Sequence, residues 1–449
     1  MRYMMTLMAA IAFSSQAIAQ TSAPPPPSPT APSPTPIEAA PELRTRVDGL
    51  TDILSGKGDY DAYFAAAFRA QIPKATFDQV NAQLLAANGP LIGIEGFEAR
   101  TAWSGLVTMQ YRDVIATIGI TVDQAAPHQV IGLRILGSTV RESTLDAVVT
   151  TIKSLPGQTG FVLAKLGDKA PQPVFQHNGD TPLAIGSAFK LVILSELIRA
   201  TNAGERKWDD VITLDGKELP GGGYTQKPAG TTVTLRELAT QMISISDNSA
   251  TDILLTALGR KKVEAMMPVI GIKNPARNRP FLGTAEFFKL KGVGKGALAA
   301  RYLSLNEAGR RAMLDSEIAA TPFSAMDPAL FKDGKPILID RLEWFESAND
   351  LVRVMDWVRR NTEGPKGADA RTILSKNSGI PPMVASKWQF VGYKGGSEPG
   401  VMTMALLLQA RNGEWYAVVG SWNDPAQDVG QGRFAGLISK AAELALPAP

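Results

Sequence analysis

The sequence predicts an α+β protein in which a small α+β domain precedes a larger domain, built on one antiparallel sheet with helices on both sides. The chain has 449 residues, 45% of them apolar, which is enough for two or three hydrophobic cores. Its smaller N-terminal part carries helical patterns followed by strand patterns. Its larger C-terminal part has strand patterns at both ends and a helix-rich middle, and such strands usually share one sheet.

The first nineteen residues are typical of a secretory signal peptide. Arg2 provides the positive start, residues 4–13 are almost all apolar, and Ala17 and Ala19 form a small-x-small cleavage site before Gln20. The apolar stretch is too short to span a bilayer, so no stable membrane anchor is expected. The mature protein is therefore expected to be periplasmic or secreted.

Residues 20–42 form a proline-rich linker, with eight prolines between positions 24 and 36. Proline fixes φ and lacks a backbone donor, so this composition predicts an extended, polyproline-like spacer. A ligand for a proline-binding module is the alternative, and the spacer is the more common use in an exported chain.

Residues 43–137 have the pattern of a small domain. Aromatic and aliphatic residues recur at three- and four-residue spacing over 60–70 and 77–87, which predicts two helices. Alternating or β-branched residues at 115–122 and 130–136 predict two strands. We expect a curved antiparallel sheet wrapped over helices, for which a packing or oligomerisation role is favoured over binding of a small apolar ligand.

Residues 138–449 contain the elements of the larger domain. The predicted elements are a helix at 142–155, strands at 160–166 and 173–177, a helix-rich middle, strands near Phe390, at 401–410 and at 415–422, and a closing amphipathic helix at 434–446. An Asn-Gly pair at 412–413 joins the last two strands and strongly favours a hairpin turn. Both ends of this domain are therefore expected to lie in one sheet.

Composition excludes several classes of function. The chain has 46 Lys and Arg against 43 Asp and Glu, a net charge of +3 with no long basic run, which argues against a nucleic-acid partner. It has no cysteine and only two histidines, so we expect no disulfide, no thiol nucleophile and no metal site. No cofactor is predicted. Any hydrolytic chemistry must use serine, lysine, carboxylate and amide groups.

Ser187 and Lys190 form the only Ser-x-x-Lys pair in the chain. They start a predicted apolar helix, where a spacing of three places both side chains on one face, one turn apart. The helix N-terminus disfavours a protonated lysine and offers backbone N–H groups that stabilise an oxyanion. A serine nucleophile activated by a neutral lysine is one hypothesis, and a simple serine N-cap is the other.

Two further motifs follow along the chain. Ser246-Asp247-Asn248 comes 59 residues after Ser187 and, taken alone, is typical of a turn that caps a helix. Lys394-Gly395-Gly396-Ser397 comes 148 residues later, at a predicted strand end. Glycines there let a substrate backbone approach closely, and the lysine can meet a carboxylate. The ordinary interpretation of this motif is a glycine-rich turn with a solvated lysine.

Together, in this order and in this strand–helix context, the three motifs resemble those of the penicillin-recognising serine hydrolases, the β-lactamases and penicillin-binding proteins. The resemblance is class A-like and covers about residues 142–449. It implies a β-lactamase/transpeptidase-like fold for the larger domain. The chain is also similar to a two-domain subgroup encoded in clavulanic acid biosynthetic clusters, which implies an NTF2-like, or steroid-isomerase-like, fold for residues 43–137 but no isomerase activity.

The resemblance also implies a role for each motif residue. The implied roles are Ser187 as nucleophile, Lys190 as its base, Ser246 as proton relay to the leaving group, Asn248 as partner of the substrate amide, Lys394 as anchor of the substrate carboxylate, and the backbone N–H groups of Ser187 and Ser397, next to Gly396, as oxyanion hole.

Three departures separate this chain from the class A pattern. Gly395 stands where the Lys-Thr-Gly motif has threonine, which removes a hydroxyl that could bind a substrate carboxylate. The gap before Lys394 is longer, with extra sequence at about 278–340. The Glu-x-x-Leu-Asn motif, whose glutamate holds the deacylating water, is absent, and Tyr302 takes the place of the glutamate in residues 302–306.

Slow clearance of the acyl-enzyme is the expected consequence. The remaining acidic candidates are Glu307, Glu317, Glu343 and Glu346. Carboxylates near helix starts usually serve as caps or solvated surface. Without a positioned base, Lys190 must act a second time and stay neutral near Lys394. A modest turnover and a long-lived adduct with penicillins are expected.

These observations predict an exported serine hydrolase of the β-lactamase family, acting on β-lactams or related carboxylate-bearing acyl substrates, with antibiotic resistance as the associated role. An esterase or D-Ala-D-Ala peptidase on the same fold is the alternative, and an inactive ligand-binding module is a further one. A Ser-His-Asp esterase would need His128 or His177, and the chain has no Gly-x-Ser-x-Gly elbow. The oligomeric state is left open.

Overall fold

The computed structural model describes residues 37–330 and 332–446, so the predicted signal peptide and most of the predicted linker lie outside the described residues. The described chain contains a four-stranded antiparallel sheet in its N-terminal part and a five-stranded antiparallel sheet in its larger part. None of the described helices is long and apolar enough to cross a bilayer.

The N-terminal part places helices before strands, as predicted. Its helices are α1 (Pro41–Asp48), α2 (Leu50–Leu54), α3 (Tyr60–Tyr63), α4 (Ala66–Gln71) and α5 (Lys74–Asn88). Its strands are β1 (Leu91–Thr101), β2 (Ser104–Tyr111), β3 (Val114–Val122) and β4 (Val130–Val140), paired in that order. The burial of β2 and β3 alternates along each strand, so one face of the sheet covers the core. The predicted division at residue 137 falls inside β4.

Phe64 interrupts the first predicted helix. Its backbone is extended (φ −101°, ψ 139°) and forms a bridge to Val130, so residues 60–70 divide into α3 and α4. The Phe64 ring is fully buried and stacks on Phe68 with the ring centroids 4.2 Å apart. Because burial and strand pairing of this residue outweigh its weak local helix preference, the prediction of one continuous helix is wrong here.

The larger part contains the remaining elements. Its helices are α6 (Leu145–Ser154), α7 (Lys190–Asn202), α8 (Leu235–Ser244), α9 (Asn248–Leu258), α10 (Arg260–Ile270), α11 (Thr284–Gly292), α12 (Ala297–Ser304), α13 (Glu307–Met313), α14 (Ala348–Asn361), α15 (Ala368–Ser375), α16 (Pro382–Ala385) and α17 (Gln431–Leu444). Its strands are β5 (Gln158–Leu166), β6 (Gln172–His177), β7 (Leu183–Ala184), β8 (Val211–Thr213), β9 (Thr232–Thr234), β10 (Phe345–Glu346), β11 (Phe390–Glu398), β12 (Val401–Gln409) and β13 (Trp415–Asn423). Single 3-10 or π turns lie at Gly186–Phe189, Pro275–Asn278, Gly294–Gly296, Leu314–Ile318, Phe323–Ala325 and Pro365–Gly367.

The five-stranded sheet has the order β11-β12-β13-β5-β6, with all neighbours antiparallel. The prediction that both ends of the larger part share a sheet is confirmed, because β5 pairs directly with β13. The predicted hairpin joins β12 and β13, and Gly413 has φ +89°, a conformation that glycine adopts without strain.

Helices cover both faces of this sheet. Along β5, Val162 and Ala164 belong to the core that contains α7, α8 and α9. The alternate residues Phe161 and Leu163 belong to a second core that contains α6 and α17. Each large apolar side chain buried in this way stabilises the fold by about 1.5–3 kcal/mol. β11 is an edge strand, which leaves one side of its backbone open towards the turn that holds Ser187.

α17 joins the two parts of the chain. It packs against β4 as well as against β12 and β13, and Arg433 Nη1 lies 3.2 Å from Asp113 Oδ1 in the N-terminal part. Gly436 of this helix lies directly on the N-terminal sheet, because a Cβ atom added there would stand 2.8 Å from Val140 Cγ1. The N-terminal sheet therefore covers apolar surface of the larger part.

Gly436→Ala is expected to destabilise the protein by about 1–3 kcal/mol, because the added methyl group must displace Val140. Gly432→Ala is the matched control in the same helix, since nothing lies within 4 Å of an added Cβ there, and alanine is the better helix former. Urea unfolding of both variants measures the difference. Equal stabilities of the two variants would contradict the close contact between α17 and β4.

Candidate active site

The turn that carries Ser187 lies against the edge strand β11. Ser187 is in the 3-10 turn Gly186–Phe189, and α7 begins at Lys190. A Cβ atom added at Gly396 would overlap the carbonyl of Ile185, and Gly186 has φ +47°. Glycine at these two positions therefore allows the strand backbone and the turn backbone to approach each other.

A cavity of about 390 Å³ opens where this turn, the start of α9 and β11 meet. Six of the seven predicted site residues line it, namely Ser187, Ser246, Asn248, Lys394, Gly396 and Ser397. The structure thus brings together three motifs that are far apart in the sequence. Asn377 and Tyr393 also line it, and sequence reasoning missed them because neither belongs to a motif.

Lys190, the seventh predicted residue, is fully buried beside this cavity. Its Nζ donates to the Ser246 carbonyl at 2.6 Å and to Asn248 Oδ1 at 2.7 Å, and it lies 3.1 Å from Ser246 Oγ. In the described part of the chain, no hydrogen bond joins Lys190 to Ser187. The lysine is thus held by the Ser246–Asn248 turn.

Burial makes Lys190 a base near neutral pH. Removal from water lowers the pKa of Lys190 to about 7, and the carboxylates of Asp252 and Asp247 only partly oppose this shift. Sequence reasoning attributed the neutral lysine to the helix N-terminus, whereas burial is the principal cause. A side chain with this pKa is present in substantial amounts as the neutral amine at pH 7.

Asp247 supports the turn that holds Lys190. Ser246 has φ +61°, which is uncommon for a residue other than glycine. The buried Asp247 carboxylate accepts hydrogen bonds from Gly223 N at 2.6 Å, Ser249 Oγ at 2.6 Å and Ala250 N at 2.8 Å, and so caps α9. The capping interpretation of this motif is therefore correct for Asp247, while Ser246 and Asn248 face the cavity.

Lys394 approaches the same serine from the strand. Its Nζ lies 3.0 Å from Ser246 Oγ and donates to the Gly395 carbonyl at 2.6 Å. Burial, together with the charge of Lys190, holds the pKa of Lys394 well below its usual range. Ser246 Oγ therefore lies between two lysine amines, a position from which a hydroxyl can pass a proton from one group to another.

The Tyr393 hydroxyl occupies the space beside Gly395. A Cβ atom added at Gly395 would overlap that hydroxyl. Tyr393 and Gly395 are two residues apart in β11 and hence on the same face of the strand. The tyrosine thus places a hydroxyl near the position where the resemblance leads one to expect a threonine. The alternation of the strand was the signal that could have identified it.

A second cavity of about 230 Å³ shares Ser187 and Asn248 with the first. Three of its lining residues, Thr284, Phe287 and Phe288, belong to α11, within the extra sequence at about 278–340. Glu343 and Glu398 also line it. The extra sequence is therefore part of the surroundings of Ser187.

Glu343 and Glu398 share one buried lysine. Lys291 Nζ lies 2.6 Å from Glu398 Oε1 and 3.7 Å from Glu343 Oε1, and the lysine side chain has no exposure to solvent. Burial, followed by the charge of Glu398, raises the pKa of Glu343 well above its usual range, and Lys291 opposes this shift. Glu343 therefore favours its protonated form.

The other acidic candidates lie elsewhere. Glu307 is exposed and pairs with Arg311, and Glu317 is half-buried and pairs with Arg301. Glu346 is buried in β10 and lines neither cavity that contains Ser187. Glu343 is thus the candidate that the structure brings next to the predicted nucleophile. Within the described ranges, no group of His, Cys, Asp or Glu could hold a metal ion.

The sequence model of the Beta-lactamase enzyme family matches residues 141–442, well over half of the chain. The chain belongs to the β-lactamase enzyme family. This membership accounts for the sheet shared by both ends of the larger part and supports a serine hydrolase. No curated protein matches the chain in sequence.

Several solved structures are similar to this β-lactamase family member. A β-lactamase from Sphaerobacter thermophilus DSM 20745 is 22% identical, with 67% of this chain and 95% of that chain covered and a TM-score of 0.45. A β-lactamase from Chitinophaga pinensis DSM 2588 is 17% identical, with coverages of 68% and 98% and a TM-score of 0.46. PBP-A is 18% identical, with coverages of 68% and 97% and a TM-score of 0.43.

Proposed function

We propose that the chain is an exported serine hydrolase that forms an acyl-enzyme at Ser187 with β-lactams or related carboxylate-bearing acyl substrates. The observation that carries the proposal is the shared cavity of Ser187, Ser246 and Lys394 beside a buried lysine. Lys190 has a pKa of about 7, as a base for serine activation requires. Export is part of the proposal and rests on residues 1–19.

In the proposed acylation, Ser187 Oγ attacks the acyl carbon and neutral Lys190 takes the proton of the hydroxyl. The backbone N–H groups of Ser187 and Ser397 stabilise the oxyanion. Ser246 Oγ, 3.1 Å from Lys190 and 3.0 Å from Lys394, then delivers a proton to the leaving group and recovers one from a lysine. The number of protons is thereby conserved through the step.

Lys394 and Tyr393 are proposed to bind the substrate carboxylate. Burial and the charge of Lys190 hold the pKa of Lys394 low, and an arriving carboxylate raises it, so the amine takes up a proton as the substrate binds. The Tyr393 hydroxyl provides a second donor and replaces the one that Gly395 lacks. The charged Lys394 ammonium and the neutral Tyr393 hydroxyl can together donate hydrogen bonds to a carboxylate close to the scissile bond.

Deacylation is proposed to be slow at neutral pH. Glu343 lines the second cavity beside Ser187, but its raised pKa favours the protonated carboxyl, and a protonated acid cannot accept a proton from water. An esterase on the same fold is the second candidate function, because esters with good leaving groups acylate a serine readily. A D-Ala-D-Ala peptidase is the remaining alternative on this fold.

The rate of acylation is expected to rise with pH through about 7 and then to level off, because only neutral Lys190 can accept the serine proton. Stopped-flow acylation by a chromogenic cephalosporin measures this profile. Intact mass with a penicillin provides the control: Ser187→Ala should abolish labelling, whereas Ser386→Ala, outside the cavity, should preserve it. Labelling that survives Ser187→Ala would contradict the assignment of the nucleophile, and a pH-independent rate would contradict the role of Lys190.

Tyr393→Phe is expected to raise KM for carboxylate-bearing substrates by about 10-fold or more, the value of one hydrogen bond to a charged group. Hydrolysis of a neutral ester should change little, because it offers no carboxylate to the tyrosine. The ratio of kcat/KM for the two substrate types, before and after the change, isolates the effect. An equal loss on both types would indicate a general packing role for Tyr393 instead.

The rate of deacylation is expected to increase towards alkaline pH as Glu343, whose pKa is raised, loses its proton. Glu343→Gln should remove this increase and leave the rate at neutral pH nearly unchanged, since a protonated glutamic acid and a glutamine are equally poor bases. Glu346→Gln, a buried neighbour outside both cavities, is the control and should retain the increase. Decay of a preformed penicillin adduct, followed by mass, measures these rates. Identical pH profiles for wild type and Glu343→Gln would refute a role for this carboxyl.

A further inference from the structure

A third cavity, of about 240 Å³, shares Glu343 and Trp344 with the second cavity beside Ser187. Ser187 itself does not line this third cavity. It is lined by four arginines, Arg277, Arg279, Arg310 and Arg341. The arginines come from the 3-10 turn Pro275–Asn278 and the residue after it, from α13 and from the segment before β10. Tertiary structure alone therefore assembles this group, which we call the arginine cavity.

None of these four arginines forms an ion pair with any residue in the described ranges. Arg310 donates only to the carbonyls of Tyr302 and Leu303, and the Arg277 guanidinium lies 3.7 Å from the centroid of the Phe345 ring. The Arg279 Nε is buried without a hydrogen-bond partner, whereas buried donors in proteins are nearly always satisfied.

The carboxyl group within the cavity does not balance this charge. Glu343 lines the cavity, but it lies by Lys291 and Glu398, and its raised pKa favours the neutral form. Asp340 partly compensates Arg277, yet burial still lowers the pKa of that guanidinium. Several positive charges therefore face one small cavity and repel each other.

We propose that the arginine cavity binds a small anion that carries at least two negative charges, of the phosphorylated or polycarboxylate class. Guanidinium groups match both phosphate and carboxylate oxygens with paired N–H donors. Such an anion would satisfy Arg279 Nε and remove the repulsion among the four side chains. The cavity volume admits a small molecule rather than a macromolecular segment.

Isothermal titration of the full secreted chain with pyrophosphate, citrate and acetate at constant ionic strength tests the proposal. Pyrophosphate or citrate should bind with one-to-one stoichiometry, whereas acetate at the same concentration should not. Stronger binding of pyrophosphate assigns the phosphorylated class, and stronger binding of citrate assigns the polycarboxylate class. Absence of binding by both at millimolar concentration would overturn the proposal.

Substitution locates the site. Arg279→Gln and Arg341→Gln should each weaken binding about 10-fold, as expected for loss of a charged hydrogen-bonding partner. Arg134→Gln is the matched control, because Arg134 is exposed and unpaired within the described chain but lies on β4, far from this cavity in the sequence. Arg341 is also exposed, so Arg341→Gln is expected to fold. If circular dichroism shows that Arg279→Gln is unfolded, the affinity of Arg341→Gln decides whether the anion binds in the arginine cavity. Wild-type affinity in Arg341→Gln, or an equal loss in Arg134→Gln, would refute the site.

Discussion

Burial of Lys190 is the constraint on which the site and much of the larger part depend. Removal of an ammonium group from water costs free energy. The pKa of Lys190 falls to about 7, so the amine can be neutral, and two oxygen atoms accept hydrogen bonds from it. Those acceptors lie on the turn Ser246–Asn248, whose left-handed serine is held by the buried carboxylate of Asp247. The apolar core around α7 provides the burial. The apolar core around α7, the turn Ser246–Asn248 and the neutral form of Lys190 therefore depend on one another.

Ser187 lies between two sets of ionisable groups, lysine amines on one side and carboxyl groups on the other. On one side are Lys190 and Lys394, both with a lowered pKa, and on the other are Glu343 and Glu398 around Lys291. Burial shifts Lys190, Lys394 and Glu343 towards their neutral forms. A neutral amine is a competent base for acylation, whereas a protonated carboxyl is a poor base for water. In the proposed mechanism, the same physical effect favours acylation and slows deacylation.

Patterns with strong local signals predicted the fold well. The Asn-Gly pair indicated the hairpin between β12 and β13, and strand patterns at both ends of the larger part indicated a shared sheet, as observed. Phe64 shows where such reasoning fails: the surrounding spacing is helical, but the residue pairs with Val130 and is buried by contacts distant in sequence. A local pattern cannot report a partner 66 residues away, so the helix break was not predictable.

The sequence by itself determined which side chains are proposed for acyl transfer, because the Ser187–Lys190 spacing and the two later motifs are local features of the chain. Only the tertiary structure decided what surrounds them. The carboxyl pair around Lys291 and the arginine cavity both join residues from separate elements. Their ionisation depends on burial, and burial is a property of the packed chain. Residue type and spacing carry the identity of the reacting groups, whereas packing sets their pKa and hence the steps that they can catalyse.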